Sequence, residues 1–406
     1  MRKIRTFVTK YLLIFFTFTF SLFHLSSCIE PPLKLPAQEV IVDFPMVITD
    51  IDVVWNLDVD WRYNWYYGWD KQDSLLWGSY DYPDPTNFEV RRYYLGEQPG
   101  AKHTNVDAFT IFGNRFRRSY QFGYYDMLIY SNIDSEDGSQ VVKVDESNLD
   151  ITTATTSISR GLTRLYTNLT DLAEQAGSTS SNAVTGLYNQ PEVFYSAYPQ
   201  DIYISRFMED YDYYDEAEHC WVKHINCDLD PLVYIYLVQV IFLNNDGRVT
   251  GTSGNAAMTA FASKTNVNTA HTYDDPVIVY FNTRYKEHCL YELQDCQIIG
   301  GKFTTFGLCD LEPVSRDPDH YYNGAFKEVP NYLLVDVRFR NGAEQTFQFD
   351  VTKQVQEQSH GGIITVIIDC GSLDIPDNPG GGGTGSLFVP TVEDYDEVIY
   401  EIPLHS

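Results

Sequence analysis

The sequence predicts an all-β chain, built as two tandem antiparallel β-sandwich domains behind a removed N-terminal leader. Three observations point there. From Val53 to Trp69 every odd position is apolar or aromatic, while Asp52, Asn56, Asp58, Asp60, Arg62 and Asn64 occupy even ones. That period of two is what a strand with one buried face requires. Leu333, Val335, Val337 and Phe339 alternate before Asn341-Gly342, and Phe347, Phe349 and Val351 alternate after it, which reads as a hairpin. Short strand signals recur through both halves without long helices between them, which favours a sandwich over an α/β fold. Composition agrees: aromatic residues make up 15% of the chain, 31 of them Tyr, and Val, Ile and Thr are frequent.

The leader comes first. Arg2, Lys3, Arg5 and Lys10 form a basic start with no acidic residue, and an apolar run follows from Tyr11 to Leu22. As a helix this run rises about 18 Å, too short for the roughly 30 Å of a bilayer core, so it reads as a cleaved signal and not a span. It ends in Leu25-Ser26-Ser27-Cys28, which resembles the lipobox of bacterial lipoproteins. That resemblance makes 1–27 a lipoprotein signal peptide and Cys28 the lipidated mature N-terminus. The competing reading is cleavage by the ordinary peptidase, with Cys28 an incidental thiol. Each buried acyl methylene contributes about 0.8 kcal/mol, so two or more chains hold a protein on a membrane nearly permanently. Ile29-Glu30 places no aspartate directly after the cysteine, which among lipoproteins fits release to the outer membrane.

Removing the leader takes 4 of the 28 basic residues and none of the 56 acidic ones, leaving a formal charge of −32. So acidic a chain is a poor ligand for nucleic acid or anionic headgroups, both of which need basic patches. With 44% hydrophobic and 21% charged residues it is globular, not disordered.

The mature chain starts with a spacer at 28–40, extended by Pro31, Pro32 and Pro36. The first domain is expected over 41–190. Its opening alternation is too long for one ordinary strand, so the core strand falls near 51–61 and an aromatic excursion follows. Trp61, Trp65 and Trp69 in that excursion are the candidate ligand surface. Aromatic faces beside polar groups suit a sugar ring or a partner strand, and they also suit covering one end of a sheet. Further strands are predicted at 87–95, 108–113 and 120–132. Asp137-Gly138 separates the last from 141–144, and Asp134, Glu136 and Asp137 lack calcium-loop spacing and read as turn chemistry. From 152 to 182 the chain is rich in Ser and Thr, a polar connection with one helical stretch at 167–175.

The second domain is expected over 191–375, with strands at 202–207, 219–225, 232–243, 277–282, 297–306, 332–340, 345–351 and 363–369. The run from Glu209 to Glu216 alternates acids with tyrosines and reads as a solvated loop. Residues 376–406 form a Gly-rich linker and an acidic, apolar tail. The linker is no phosphate loop, since no Lys follows its glycines. The apolar tail segment suits addition as a strand to an open sheet edge, and it equally suits a frayed end.

Six cysteines follow Cys28, all in the second half. In an exported chain Cys220–Cys227 and Cys289–Cys296 are candidate hairpin disulfides, while Cys309 and Cys370 either pair or stay buried thiols. His219, Cys220, His224 and Cys227 do not follow structural zinc spacings, so no metal is expected. Neither a G-x-S-x-G, an H-E-x-x-H nor a Walker loop occurs, and the histidines are scattered. No catalytic residue and no cofactor is expected, and the chain is not read as an enzyme.

Several segments together carry a family resemblance. They are the lipobox, the tryptophan-rich 53–69, Tyr124 to Asn132, Phe303-Thr304-Thr305-Phe306-Gly307-Leu308, Phe349-Asp350-Val351-Thr352 and the Gly-rich tail. With them the chain resembles a family of exported Bacteroidales lipoproteins of unknown function. That family is similar in layout to fimbrillin-like proteins and the lipoproteins that anchor fimbriae. The resemblance implies fimbrillin-like sandwiches, an outer-membrane lipid anchor, fimbrial subunits or other envelope proteins as partners, and assembly or adhesion by strand addition. An outer-membrane glycan-binding lipoprotein using the aromatic surface around 61–69 is the alternative.

Overall fold

A computed structural model describes residues 40–43, 46–47, 85–104, 106–131, 140–175, 186–291, 294–313 and 325–372. These are mostly strands in antiparallel sheets, with few and short helices. They fall into two compact units. Among described residues, the smaller holds 40–43, 117–121 and 205–224, and the larger holds the rest.

The smaller unit is a three-stranded sheet. Cys220–His224 lies in its middle, parallel to Val40–Asp43 and antiparallel to Tyr213–Asp215. The acidic, tyrosine-rich run is therefore only partly a solvated loop. Its Tyr213–Asp215 stretch is held by neighbours that sequence spacing does not reveal. Asp212 Oδ2 accepts from the His224 amide at 2.6 Å, the Tyr214 and Trp221 rings pack at 5.2 Å, and Arg117 donates to the Tyr213 hydroxyl at 2.9 Å.

The larger unit contains a nine-stranded sheet. Its path runs Val249–Gly251, Tyr332–Phe339, Asn255–Ala262, Pro276–Tyr291, Gln294–Thr305, Tyr234–Leu243 and Gly362–Asp369. Glu344–Asp350 also pairs with Tyr332–Phe339, through the hairpin that Asn341-Gly342 marked. Gly342 sits there at φ 80°, which a glycine adopts without penalty. Tyr234–Leu243 is apolar except for Gln239 and buried over nearly its whole length, as expected of a strand covered on both faces. Gly362–Asp369 pairs with it in parallel. The core stacks Tyr236 on Phe303 at 5.2 Å, with Phe261 and Phe281 against the same ring. Gly301 lets this happen: a Cβ there would stand 2.6 Å from the Asn282 carbonyl oxygen and 3.0 Å from the Phe281 ring.

Asn255–Ala262 is a central strand that pattern reading passes over. Its sequence, N-A-A-M-T-A-F-A, is poor in β-branched residues, and its place comes from pairing on both sides. The polar connection at 152–182 is more structured than expected. Ile151–Thr155 is a strand, Arg160–Leu165 a helix capped by Ser159, and Thr167–Gln175 the predicted helix. Leu169, Leu172 and Ala173 pack on Ala257, Ile278 and Leu334, and Tyr166 stacks on Tyr280 at 5.2 Å. These helices cover one face of the large sheet.

Lys264–Asn266, Ile151–Thr155 and Lys143–Asn148 form a three-stranded sheet, Cys227–Asp228 pairs with Met46–Val47, and a six-stranded sheet follows the path Asp230–Pro231, Tyr195–Ala197, Gly123–Ser131, Asn87–Gly96 and Val106–Phe112. Ile202–Ile204 pairs with Gly123–Ser131 off that path. Strands from both sides of residue 190 share this sheet and the nine-stranded one.

Candidate functional site

Among the described residues, Val106–Phe112 has a strand neighbour on one side only. It runs antiparallel to Asn87–Gly96, from Val106 opposite Tyr93 to Phe112 opposite Asn87. Only Ile111 on this strand is buried, while Phe112 is 80% and Val106 41% exposed. A terminal strand with apolar side chains in water is the usual template for pairing with another chain.

The inner strands hold this edge with charge and hydrogen bonds. Arg92 pairs with Asp107 at 2.5 Å, and Thr110 Oγ1 donates to Glu89 at 2.7 Å. Behind them Arg91 ties this sheet to Lys143–Asn148, a strand of a separate three-stranded sheet. Its guanidinium reaches Glu146 at 2.8 Å, Glu89 at 2.9 Å and the Tyr130 hydroxyl at 3.1 Å. Tyr130 in turn donates to Glu146 at 2.6 Å, and burial followed by that bond pushes its phenol well above the usual range. Just before the edge strand, His103 meets Asp126 at 2.8 Å and stacks on Tyr93 at 4.2 Å. Side chains of the strands behind it thus hold this strand in place.

Cys28, Trp61, Trp65, Trp69, the cluster Asp134, Glu136 and Asp137, and the tail 376–406 lie outside the described residues. Of the cysteine pairs, Cys289 and Cys296 are direct cross-strand partners, brought face to face by the antiparallel register. Both are buried thiols. A hydrogen bond with Cys289, and then burial, push the Cys296 thiol upward. Cys220 is buried in the smaller unit and Cys227 in the larger. Among the described residues no group of three or more His, Cys, Asp or Glu is placed to hold a metal ion.

The sequence placed a strand at 108–113 and missed that it is terminal among the described residues. The available signal was V-D-A-F-T-I-F itself, in which no alternating face is consistently polar or apolar.

No family model matches the chain, and no curated protein matches it. Distant similarities appear among solved structures. A putative adhesin from Bacteroides ovatus ATCC 8483 aligns at 12% identity and a TM-score of 0.44, over 85% of this chain and 95% of its own. One from Bacteroides thetaiotaomicron VPI-5482 aligns at 9% and 0.39, over 82% and 92%. The fimbrial anchor protein Mfa2 from Porphyromonas gingivalis aligns at 10% and 0.34, over 81% and 90%.

Proposed function

We propose that this chain is a lipid-anchored cell-envelope protein with a structural or adhesive, fimbria-related role, and that it assembles by β-strand addition. Cys28 carries the lipid on the outer membrane, residues 28–40 space the folded part from it, and the acidic surface keeps the protein soluble beyond. The observation that supports this reading most directly is the terminal strand Val106–Phe112, with apolar side chains exposed on a sheet braced by Arg91 and His103. Its occupant is an extended segment of a fimbrial subunit or another envelope protein, which adds main-chain hydrogen bonds to one side of the strand.

The test combines two variants in cells. Cys28→Ala should lose both labelled fatty acid and membrane fractionation, and retained label would refute the anchor. A photo-reactive side chain at Phe112 should cross-link an envelope subunit. Its failure to capture any, in a protein that is folded and anchored, would refute assembly through this edge.

The same reading includes a clasp. Cys289 and Cys296 close the hairpin between Pro276–Tyr291 and Gln294–Thr305 as a disulfide when an oxidised thiol–disulfide oxidoreductase takes up their two electrons and two protons.

A further inference from the structure

Among the described residues the strand Gly362–Asp369, G-I-I-T-V-I-I-D, ends the nine-stranded sheet. It is long, β-branched and almost uncharged, the composition that most readily recruits a foreign strand when its edge is bare. One face of its backbone pairs in parallel with Tyr234–Leu243. On the other side, the first half of the edge is occupied by two glutamine side chains.

Both glutamines lie in and just beyond the short helix Thr352–Glu357. Gln354 Nε2 donates to the Thr365 carbonyl at 2.9 Å, and the Thr365 amide donates to Gln354 Oε1 at 2.8 Å. Gln358 Nε2 donates to the Ile363 carbonyl at 2.9 Å, and the Ile363 amide donates to Gln358 Oε1 at 2.8 Å. Each side-chain amide thus does what a backbone peptide does in a sheet, offering one donor and one acceptor to one residue of the edge. The spacings match. Side chains four apart on a helix stand about 6 Å from each other, and strand residues two apart repeat at about 6.7 Å.

Other features hold the glutamines in place. Val355 is buried in the core between them, and the Gln358 carbonyl accepts from the Tyr236 hydroxyl at 2.6 Å. Gly362 leaves room for the Gln358 amide: a Cβ there would meet its Oε1 at 2.0 Å and its Cδ at 2.6 Å. Two glutamines, one glycine and one anchoring valine therefore serve a single arrangement.

We propose that Gln354 and Gln358 act as a surrogate strand that closes the Ile363–Thr365 half of the Gly362–Asp369 edge against pairing with the same edge of a second copy of this chain. Strand addition is thereby kept off this half of the edge. A bidentate amide satisfies the backbone as fully as a neighbouring strand would, yet it offers no further row of donors and acceptors for growth.

The test uses the full mature chain in detergent, as wild type, as Gln354→Leu/Gln358→Leu, and as Gly362→Ala. The glycine variant keeps both glutamines and dislodges only Gln358, so it remains informative if the double variant fails to fold. Self-association is followed by sedimentation across a concentration series, with hydrogen exchange read at the Ile363 and Thr365 amides. The expected result is a self-association constant raised by about tenfold or more in the variants, the scale of a recovered pair of backbone hydrogen bonds. At low concentration the Ile363 amide should lose protection in both variants, and that protection should return as copies associate. Folded variants that associate no more than wild type, or that associate while Ile363 stays unprotected, would overturn the proposal.

Discussion

His103 Nε2 lies 2.8 Å from Asp126 Oδ2, with both side chains almost wholly withdrawn from water. The other carboxylate oxygen of Asp126 accepts from the Asp201 amide at 2.8 Å, and His103 Nδ1 stands 3.1 Å from the Leu149 carbonyl oxygen. One buried pair therefore ties the segment entering the terminal strand Val106–Phe112 to three other parts of the larger unit.

Removing either partner leaves the other buried without its match, so Asp126→Ala and His103→Ala should each lose about 3 kcal/mol of stability. The double variant should lose clearly less than the sum, with a coupling of at least about 1 kcal/mol. Urea denaturation of the four proteins measures this, and strict additivity would show that the two residues act separately.

His360 predicts a pH dependence. It is buried beside Tyr234, with their rings edge to face at 5.0 Å, and burial pulls its pKa down to about 4. The unfolded histidine titrates near 6.5, so between about pH 6.5 and pH 4 the unfolded chain holds a proton that the native chain refuses. Stability contributed by the neutral ring is complete above that window and is lost as pH falls through it, by about 3 kcal/mol in total. His360→Phe should flatten this part of the stability curve. Parallel curves for the two proteins would disprove the assignment.

Cys289 and Cys296 should be recovered as one disulfide-linked peptide from protein isolated out of its native envelope, lighter by two hydrogens than the reduced pair. Closing so short a loop contributes about 2–3 kcal/mol. Cys289→Ser should remove that gain and make the melting temperature insensitive to reductant at this site. A native protein carrying two free thiols here would rule the clasp out.

Gly301→Ala should destabilise the core by about 2 kcal/mol, because its Cβ would sit 2.6 Å from the Asn282 backbone carbonyl oxygen and 3.0 Å from the Phe281 ring. Phe303→Ala, at the centre of the aromatic stack, should lose about 3–5 kcal/mol by leaving a cavity. Thermal or denaturant unfolding ranks the two, and a neutral Gly301→Ala would mean that the strands are spaced more loosely than described.

Val106→Lys/Phe112→Lys should change stability by no more than about 1 kcal/mol, since both side chains face water. It should nevertheless abolish partner capture, because lysines on an edge oppose strand pairing. Undiminished capture would place the acceptor elsewhere.

Much of the strand pattern was legible in advance. The stretches 87–95, 332–340, 345–351 and 363–369 match observed strands to within a residue or so, and the Asn341-Gly342 hairpin is where its turn chemistry put it. Asn255–Ala262 was not legible, because alanines carry no strand signal until neighbours on both sides enclose them. Tyr213–Asp215 was hidden for the same reason: its partner Cys220–His224 supplies the order that its own acidic composition argues against.

Local chemistry in the sequence determined many of the strands and the Asn341-Gly342 hairpin, through side-chain alternation, turn residues and apolar runs, and the lipobox resemblance makes Cys28 the expected anchor. Only the tertiary structure decided which strands are terminal among the described residues, that strands from both sides of residue 190 share sheets, that Cys289 faces Cys296, and that Gln354 and Gln358 bond to the backbone of Ile363 and Thr365. The reason is that periodicity reports which face of a strand is buried, a property of neighbouring residues. Whether an edge is open depends on hydrogen bonds to partners anywhere along the chain, and those partners are chosen only when the sheets assemble.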